Sequence, residues 1–382
     1  MSAYDVVVIG GGFLGLSTAY HLGKAGAKVL LLEARDIASG TSGACSGRAQ
    51  VSEGHLDALN IRLIVEGMER FNTLEEELGL GFEWHRVGCL CLIKEGQQHL
   101  WNAWNERAAV LGKAGIEVEM LDAHSVKEAE PHLNINGLMG AALSTEGLLN
   151  PFLFCWAYAC AAQRYGVVLR AHCPVTDIQI AGRQVVGVTA NGERFVCGKA
   201  AVMCGAWTPQ VTRLAGVDVP IKHTHAEAYI SEALPPLLRN TIALADFYET
   251  IHGKPRAISV GVSQHENGTL VVTEAVTMCE EIHGWVSAWG LGGMASDLIR
   301  FFPVLGRSRM LRSWGRPTSF APDEEPLIGW LPQLDNLYVA SSMVETITAV
   351  PLISEWMAKD ILGEELPVSL DIFSPARFYQ PA

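Results

Sequence analysis

The sequence predicts an α/β fold in which a Rossmann-like dinucleotide-binding layer is interleaved with a mostly antiparallel-sheet layer. Three observations carry this. A β-branched run, Tyr4-Asp5-Val6-Val7-Val8-Ile9, leads directly into Gly10-Gly11-Gly12-Phe13-Leu14-Gly15 and a helical stretch. Continuous apolar runs of that kind belong to buried parallel strands. A second apolar run, Lys28-Val29-Leu30-Leu31-Leu32, closes on Glu33 and completes a strand–turn–helix–strand unit. Further on, 167–196 and 220–300 read as strand-like runs broken by turn residues rather than as repeated strand–helix units.

Each part of the first unit has a physical reason. Gly10 allows the tight turn, Gly12 lets the backbone approach a pyrophosphate, and Gly15 lets helix and strand pack closely. The helix N-terminus offers free N–H groups and the positive end of its dipole to phosphates. Glu33 is placed to accept hydrogen bonds from ribose hydroxyls and would repel a 2′-phosphate, which argues against NADP. Residues 36–54 are rich in Gly, Ser and Thr and read as a second backbone cradle.

A helix is expected over 57–78, a strand pair over 82–94 and a helix over 97–115. Asn150-Pro151 reads as an N-cap followed by proline at the first helical position, with the helix running to about 165. Hairpin turns fall at Gly182 and Asn191-Gly192, and a buried strand ends in Cys204-Gly205-Ala206-Trp207. Helices are expected over 296–302 and from Thr348 to Leu362, the second with Pro351 in its first turn and a stop at Gly363.

Composition narrows the function classes. Apolar residues make up 49% and charged residues 18%, which excludes disorder. With 28 basic against 41 acidic residues the net charge is −13, and no basic run is present, so nucleic-acid binding is not expected. The nine cysteines are odd in number and lie mostly in apolar runs, so they read as small core residues rather than a disulfide framework. His223-Thr224-His225 shares a strand face but lacks a third ligand at convincing spacing, so no metal is expected. The start has no basic n-region, and the longest apolar stretch, 152–162, has 11 residues, too short to span a bilayer. The expectation is a soluble cytoplasmic protein.

The opening VVVIGGGFLGLSTAYHLGKAGAKVLLLEARDIASGTSG resembles the D-amino acid oxidase, glycine oxidase and sarcosine oxidase family of FAD-dependent oxidoreductases. Gly205-Ala206-Trp207, the segment Glu146-Gly147-Leu148-Leu149-Asn150-Pro151, and Arg312-Ser313-Trp314-Gly315-Arg316-Pro317 followed by Asp323, Pro326 and Gly329 extend the likeness over nearly the whole chain. The resemblance implies a D-amino acid oxidase type fold. Its FAD-binding domain would be 1–85, 145–220 and 305–382, and its substrate domain 86–144 and 221–304.

FAD contacts are assigned to Gly10, Gly12, Phe13, Leu14, Gly15, Glu33, Ala34 and Arg35, and to Thr41, Ser42, Ser46 and Gly47 in the second cradle. Val175, then Cys204, Gly205 and Trp207, then Thr346, Ile347 and Thr348 complete the set. Some sarcosine oxidases link their flavin through a histidine near the Asn150 position or a late cysteine. This chain has Asn150 there and no cysteine after Cys279, so the flavin is expected to be noncovalent.

The family implies oxidation of a C–N bond by hydride transfer from the α-carbon to the flavin, with the amine neutral and the substrate carboxylate held. Candidates for that hold are Arg48, Tyr229, Tyr248, Arg256 and Arg312, because arginine–carboxylate pairs are the strong ones. Glu345, in the late loop, is a candidate for a cationic substrate such as an arginine-derived opine.

One departure stands out. Ala340-Ser341-Ser342-Met343-Val344-Glu345-Thr346-Ile347-Thr348 lacks the family's Gly/His-rich pattern beside the flavin. The chain is therefore expected to resemble most the β subunit of hetero-oligomeric opine (octopine/nopaline) dehydrogenase or hydrogen cyanide synthase. The implied partners are an α subunit and a small iron–sulfur γ subunit as electron acceptors, and FMN at an interface with a partner chain is left open. A single-chain oxidase using oxygen and a non-catalytic flavin-binding assembly subunit are the alternatives.

Overall fold

The computed structural model describes residues 3–252, 254–279, 281–343 and 345–379. Its first strand, β1 (Tyr4–Ile9), is flanked by parallel partners on both sides. Val6 to Ile9 face Val29 to Leu32 of β2 (Val29–Leu32) on one side and Lys199 to Val202 on the other. The sheet runs Leu327–Trp330, Leu337–Ser341, Glu193–Val202, β1, β2, Val168–Arg170, with the antiparallel hairpin of Val175–Ala181 and Gln184–Ala190 added on the Glu193 strand. All four residues of β2 are buried, which is why that run is apolar without alternation.

Helix α1 (Phe13–Lys24) packs its Leu16, Ala19 and Tyr20 face into the core that helices Pro151–Arg164 and Thr346–Leu362 share. The Asn150 side chain caps the first of these, its Oδ1 accepting the N–H groups of Phe152 at 3.1 Å and Leu153 at 3.3 Å.

The second sheet has nine strands. Its main path is Met310–Phe320, Lys222–Ser231, Leu270–Met278, Arg256–Gln264, Asn240–Leu244, His85–Lys94, Leu138–Leu148 and Arg48–Ala49, with Val118–Asp122 also paired to Leu138–Leu148. All pairings are antiparallel except Asn240–Leu244 with His85–Lys94. Strand Met310–Phe320 pairs along Lys222–Ser231, so a boundary at 305 cuts through this sheet. The pairing moves the crossing back to the first sheet beyond Phe320, to Leu327–Trp330.

Three local expectations change. The strand pair over 82–94 is one strand, His85–Lys94, whose partners come from 138–148 and 240–244 rather than from a neighbouring turn. The helix expected from 296 begins two turns earlier, Ala288–Phe301, where Ser287 caps Gly290 N–H at 2.9 Å. Gly290, Gly292 and Gly293 weaken the helical signal there. Gly290 lies so close to the Glu227 carboxylate that a Cβ would collide with it. The last helix begins at Thr346, so Pro351 lies in its second turn. Among the described residues, no helix is long and apolar enough to cross a membrane.

Candidate active site

One cavity of about 1420 Å³ lies between the two sheets. That exceeds the roughly 300–1,000 Å³ of a site for one small ligand, leaving room for a dinucleotide and a second molecule.

The dinucleotide end is built by β1, α1 and β2. Gly10 has φ +119°, and a Cβ there would collide with the Met203 carbonyl. A Cβ on Gly15 would collide with the Gly10 carbonyl. The turn therefore closes only on bare backbone. Gly12 is the N-cap of α1 and no side chain caps it, while Ser42 Oγ accepts the Phe13 N–H at 3.0 Å.

The Glu33 carboxylate accepts Gly11 N–H at 2.7 Å on Oε2 and Arg35 N–H at 2.8 Å on Oε1, which fixes it at the lip of the turn. The residue lines the same cavity and keeps acceptor capacity beyond these two bonds. Glu33→Arg is expected to weaken FAD binding roughly tenfold or more, because two backbone donors and the ribose hydroxyls lose their acceptor. A fluorescence titration of the apoprotein with FAD measures this, and an unchanged Kd contradicts the placement.

Ala34, Arg35 and Leu14 line this end, and the Arg35 guanidinium lies 4.9 Å from the Trp207 ring centroid. Val175, Cys204 and Gly205 line the cavity from the hairpin and the end of the Glu193–Val202 strand. The second cradle supplies Thr41, Ser42 and Ser46. It is pinned to the other sheet: Thr41 Oγ1 donates to Pro317 O at 2.6 Å and Trp314 Nε1 to Ala44 O at 2.8 Å. Thr346 and Ile347 line the opposite wall.

Gly15, Gly47 and Thr348 shape the walls from behind. Gly47, at φ +79°, presses against the Leu149 carbonyl, and Thr348 donates its hydroxyl to Gln50 O at 2.6 Å. The bare glycine turn and the anchored acid suit a dinucleotide.

The cavity also carries charge. Arg316, on Met310–Phe320, lines the cavity, and its NH2 group lies 2.9 Å from Glu274 Oε1. The two side chains are 13% and 12% exposed, and the Arg316 Nε has no hydrogen-bond partner among the described residues. Burial opposes the Arg316 charge, but Glu274 beside it holds the guanidinium protonated. A buried guanidinium with an open N–H edge can hold a carboxylate.

A second group surrounds Arg48. Its NH2 donates to Glu53 at 2.7 Å, to Glu146 at 2.8 Å and to Cys89 Sγ at 3.0 Å. Glu146 is fully buried; burial raises its pKa while Arg48 opposes the rise. Arg107, from helix Gln98–Lys113, donates to Ser52 O at 3.0 Å and Gly54 O at 2.6 Å. Glu345 lines the same stretch of cavity. Burial first, then Glu53 and Glu146, push its pKa up to about 8 against the pull of Arg107. Glu53, Cys89 and Cys91 offer ligand atoms within 4.8 Å of one another, but the Arg48 guanidinium already supplies the positive charge there.

Three sequence candidates stand elsewhere. Arg312 is exposed near the outer end of its strand, opposite Ile230, and does not line the cavity. Tyr229 is 5% exposed in the core of the second sheet, where burial pushes its hydroxyl up to about 12. Arg256 stacks its guanidinium 5.1 Å from the Trp289 ring on the protein surface. The Tyr248 side chain lies outside the described residues.

The sequence reading passed over Arg316, Glu274 and Arg107. The available signal for Arg316 was its distance of four residues from Arg312 along one strand: both share a face, but only the later half of the strand lies under the Thr41–Ala44 turn. His223 and His225 gain a third imidazole, His283, with the His225 and His283 centroids 3.9 Å apart and Trp285 stacked beyond. Burial, then His283, lower the His225 pKa to about 4, so the His225 ring is packed neutral.

The family described as FAD dependent oxidoreductase (DAO) matches residues 5–359. Sarcosine oxidase subunit beta of Rhodobacter capsulatus is 26% identical over 346 residues, covering 88% of this chain and 79% of that one. The 4-methylaminobutanoate oxidase (formaldehyde-forming) of Paenarthrobacter nicotinovorans is 29% identical over 347 residues, covering 88% of this chain but 40% of that one. Among solved structures, glycine oxidase from Geobacillus kaustophilus superposes with TM-score 0.88 at 21% identity, covering 99% of both chains. L-Proline dehydrogenase from P. horikoshii superposes with TM-score 0.87 at 22% identity, covering 99% of this chain and 98% of that one.

Proposed function

The chain belongs to the FAD-dependent oxidoreductases of the D-amino acid oxidase type, and from that premise we propose that it is the catalytic β subunit of a hetero-oligomeric dehydrogenase. Its reaction is the oxidation of a C–N bond in an amino acid or an opine-like secondary amine. One observation carries the reading: a single cavity runs from the glycine turn to a buried arginine with an open edge.

Gly10, Gly12, Ser42 and Glu33 would hold the adenosine diphosphate half of FAD noncovalently. Bound FAD supplies a two-electron acceptor. Arg316 holds the substrate carboxylate and so orients the C–N bond, and Glu274 keeps the guanidinium charged and fixed. No general base is required once the amine is neutral.

The hetero-oligomer reading is supported by two features. The relatives include sarcosine oxidase subunits beta, and the loop 341–348 departs from the Gly/His-rich pattern beside the flavin. Electrons then leave through an α subunit, with a small iron–sulfur subunit as a further acceptor. Purification of the native protein with its co-purifying chains tests this. Amine oxidation is assayed with oxygen and with an artificial dye as separate acceptors. The expected result is dye-dependent turnover that rises with partner chains present. Fast oxygen turnover by the lone chain, with no gain from dye or partners, overturns the subunit reading. A flavin that no amine can reduce anaerobically overturns catalysis.

A further inference from the structure

The chain as a whole is acidic, yet one stretch reverses the balance. Between Asp297 and Asp323 stand Arg300, Arg307, Arg309, Arg312 and Arg316, with no Asp, Glu or Lys among them. Arg316 lines the cavity, whereas Arg300, Arg307 and Arg309 are exposed. Among the described residues no ion pair holds these three. Glu232, an acid at this place, accepts the Arg309 main-chain N–H at 2.9 Å. Arg300 lies in the last turn of helix Ala288–Phe301, where the helix dipole already favours a cation. Arg307 and Arg309 have no such local reason.

Apolar side chains stand beside these arginines. The helix, the tight turn Pro303–Arg307 and the start of strand Met310–Phe320 follow one another directly and form one corner of the second sheet. There Val304 is 53% exposed, Met310 40% and Leu311 65%. The strand is the last of its sheet, and among the described residues it pairs only with Lys222–Ser231. Its later half is tied to the Thr41–Ala44 turn, while its start is exposed. A register shift between Ile230 and Ser231 disturbs the ladder there, so an occupant would read side chains rather than add a strand. Arginine and methionine without lysine or acid is the composition of a protein interface, whereas a solvated face normally mixes both signs.

We propose that this corner is the docking surface for the partner chain of the hetero-oligomer, met by a face of that chain on which carboxylates surround apolar side chains. The proposal rests on the hetero-oligomer reading and adds where the partner sits and what chemistry it presents. A second copy of this chain fits poorly, because a two-fold contact through the corner sets arginine against arginine. A nucleic acid or an anionic bilayer extends past the corner and meets the net charge of −13. A protein face meets only the patch, since charges beyond a Debye length of about 8–10 Å are screened. The same strand leads inward: Arg316, four residues past Arg312 and so about 13 Å along the strand, lines the cavity. A chain docked at the corner therefore stands one strand length from the cavity wall.

The test uses the holoenzyme with its co-purifying chains. Arg307→Glu with Arg309→Glu is compared with a control of equal charge change, Arg86→Glu with Arg194→Glu. Both control residues are exposed, one five strands away in the same sheet and the other in the first sheet. Affinity for the partner chain is titrated over a range of salt. Flavin content, Tm and dye turnover of the chain alone are read in parallel. The expected result is a Kd raised roughly tenfold or more by the reversal, with a shallower salt dependence, because opposed like charges replace attraction. The control and the parallel readouts should stay at wild-type values. Leu311→Ser should weaken the partner and leave the salt dependence as it is.

Wild-type affinity in the reversal, or an equal loss in the control, overturns the docking surface and leaves the hetero-oligomer standing. A chain that co-purifies with no partner overturns both. Phosphatidylserine vesicles bound by the lone chain and released by the reversal, or a dimer of the lone chain that the reversal splits, give the corner another occupant and overturn the proposal.

Discussion

Gly15→Ala is expected to give a protein that purifies colourless. The added Cβ has no space, because it would meet the Gly10 carbonyl, which is backbone and cannot swing aside. The turn must open, and opening it moves Gly10, Gly11 and the first N–H groups of α1 away from the position where they meet a pyrophosphate. Gly10→Ala adds a second fault, since φ +119° is a conformation an alanine rarely adopts.

Overpacking of this kind costs about 1–3 kcal/mol of stability. Loss of FAD costs the protein the further stability that binding confers. The ratio of flavin to protein absorbance after gel filtration, with a thermal melt in the presence and absence of added FAD, measures both. A Gly15→Ala protein that retains stoichiometric flavin contradicts the assigned cradle. In the wild type, acid precipitation should release the yellow colour into solution. Colour that stays with the precipitate contradicts noncovalent attachment.

Arg316→Met is expected to lower kcat/KM by roughly 100- to 1,000-fold, mostly through KM for carboxylate-bearing substrates. Two losses add. The substrate carboxylate loses its cation, and Glu274, only 12% exposed, is left as a buried anion without its partner. Breaking a buried pair by removing one side costs about 3–5 kcal/mol. Arg316→Met combined with Glu274→Gln separates the two. The pair of changes should restore most of the thermal stability, because no buried charge remains, while activity on a carboxylate-bearing amine stays low. If the double variant regains activity together with stability, Arg316 is structural and the carboxylate is held elsewhere. Arg312→Met is the control: its side chain is exposed and away from the cavity, so activity should change little.

Part of this protein was determined by local sequence alone. The turn from Ile9 to Phe13, the helix after it and the acid at the end of β2 follow from β-branched runs, glycines with no room for a Cβ, and a strand length that brings Glu33 beside Gly11. The cap at Asn150 and the hairpins at Gly182 and Asn191-Gly192 are likewise written in a few adjacent residues, each satisfying its own backbone groups.

The charged end of the cavity was settled only by tertiary structure. Arg316 reaches it because Thr41 and Trp314 tie two segments 270 and more residues apart, and Arg312, on the same strand, stands beyond that tie. Arg48, Glu53, Glu146 and Glu345 come from three distant stretches of chain, and none of them carries a local signal of the others. Periodicity and turn chemistry report which face of an element is buried. They do not report which buried charges meet, because that depends on how two sheets cross, and the crossing is set by long-range pairing rather than by neighbours in sequence.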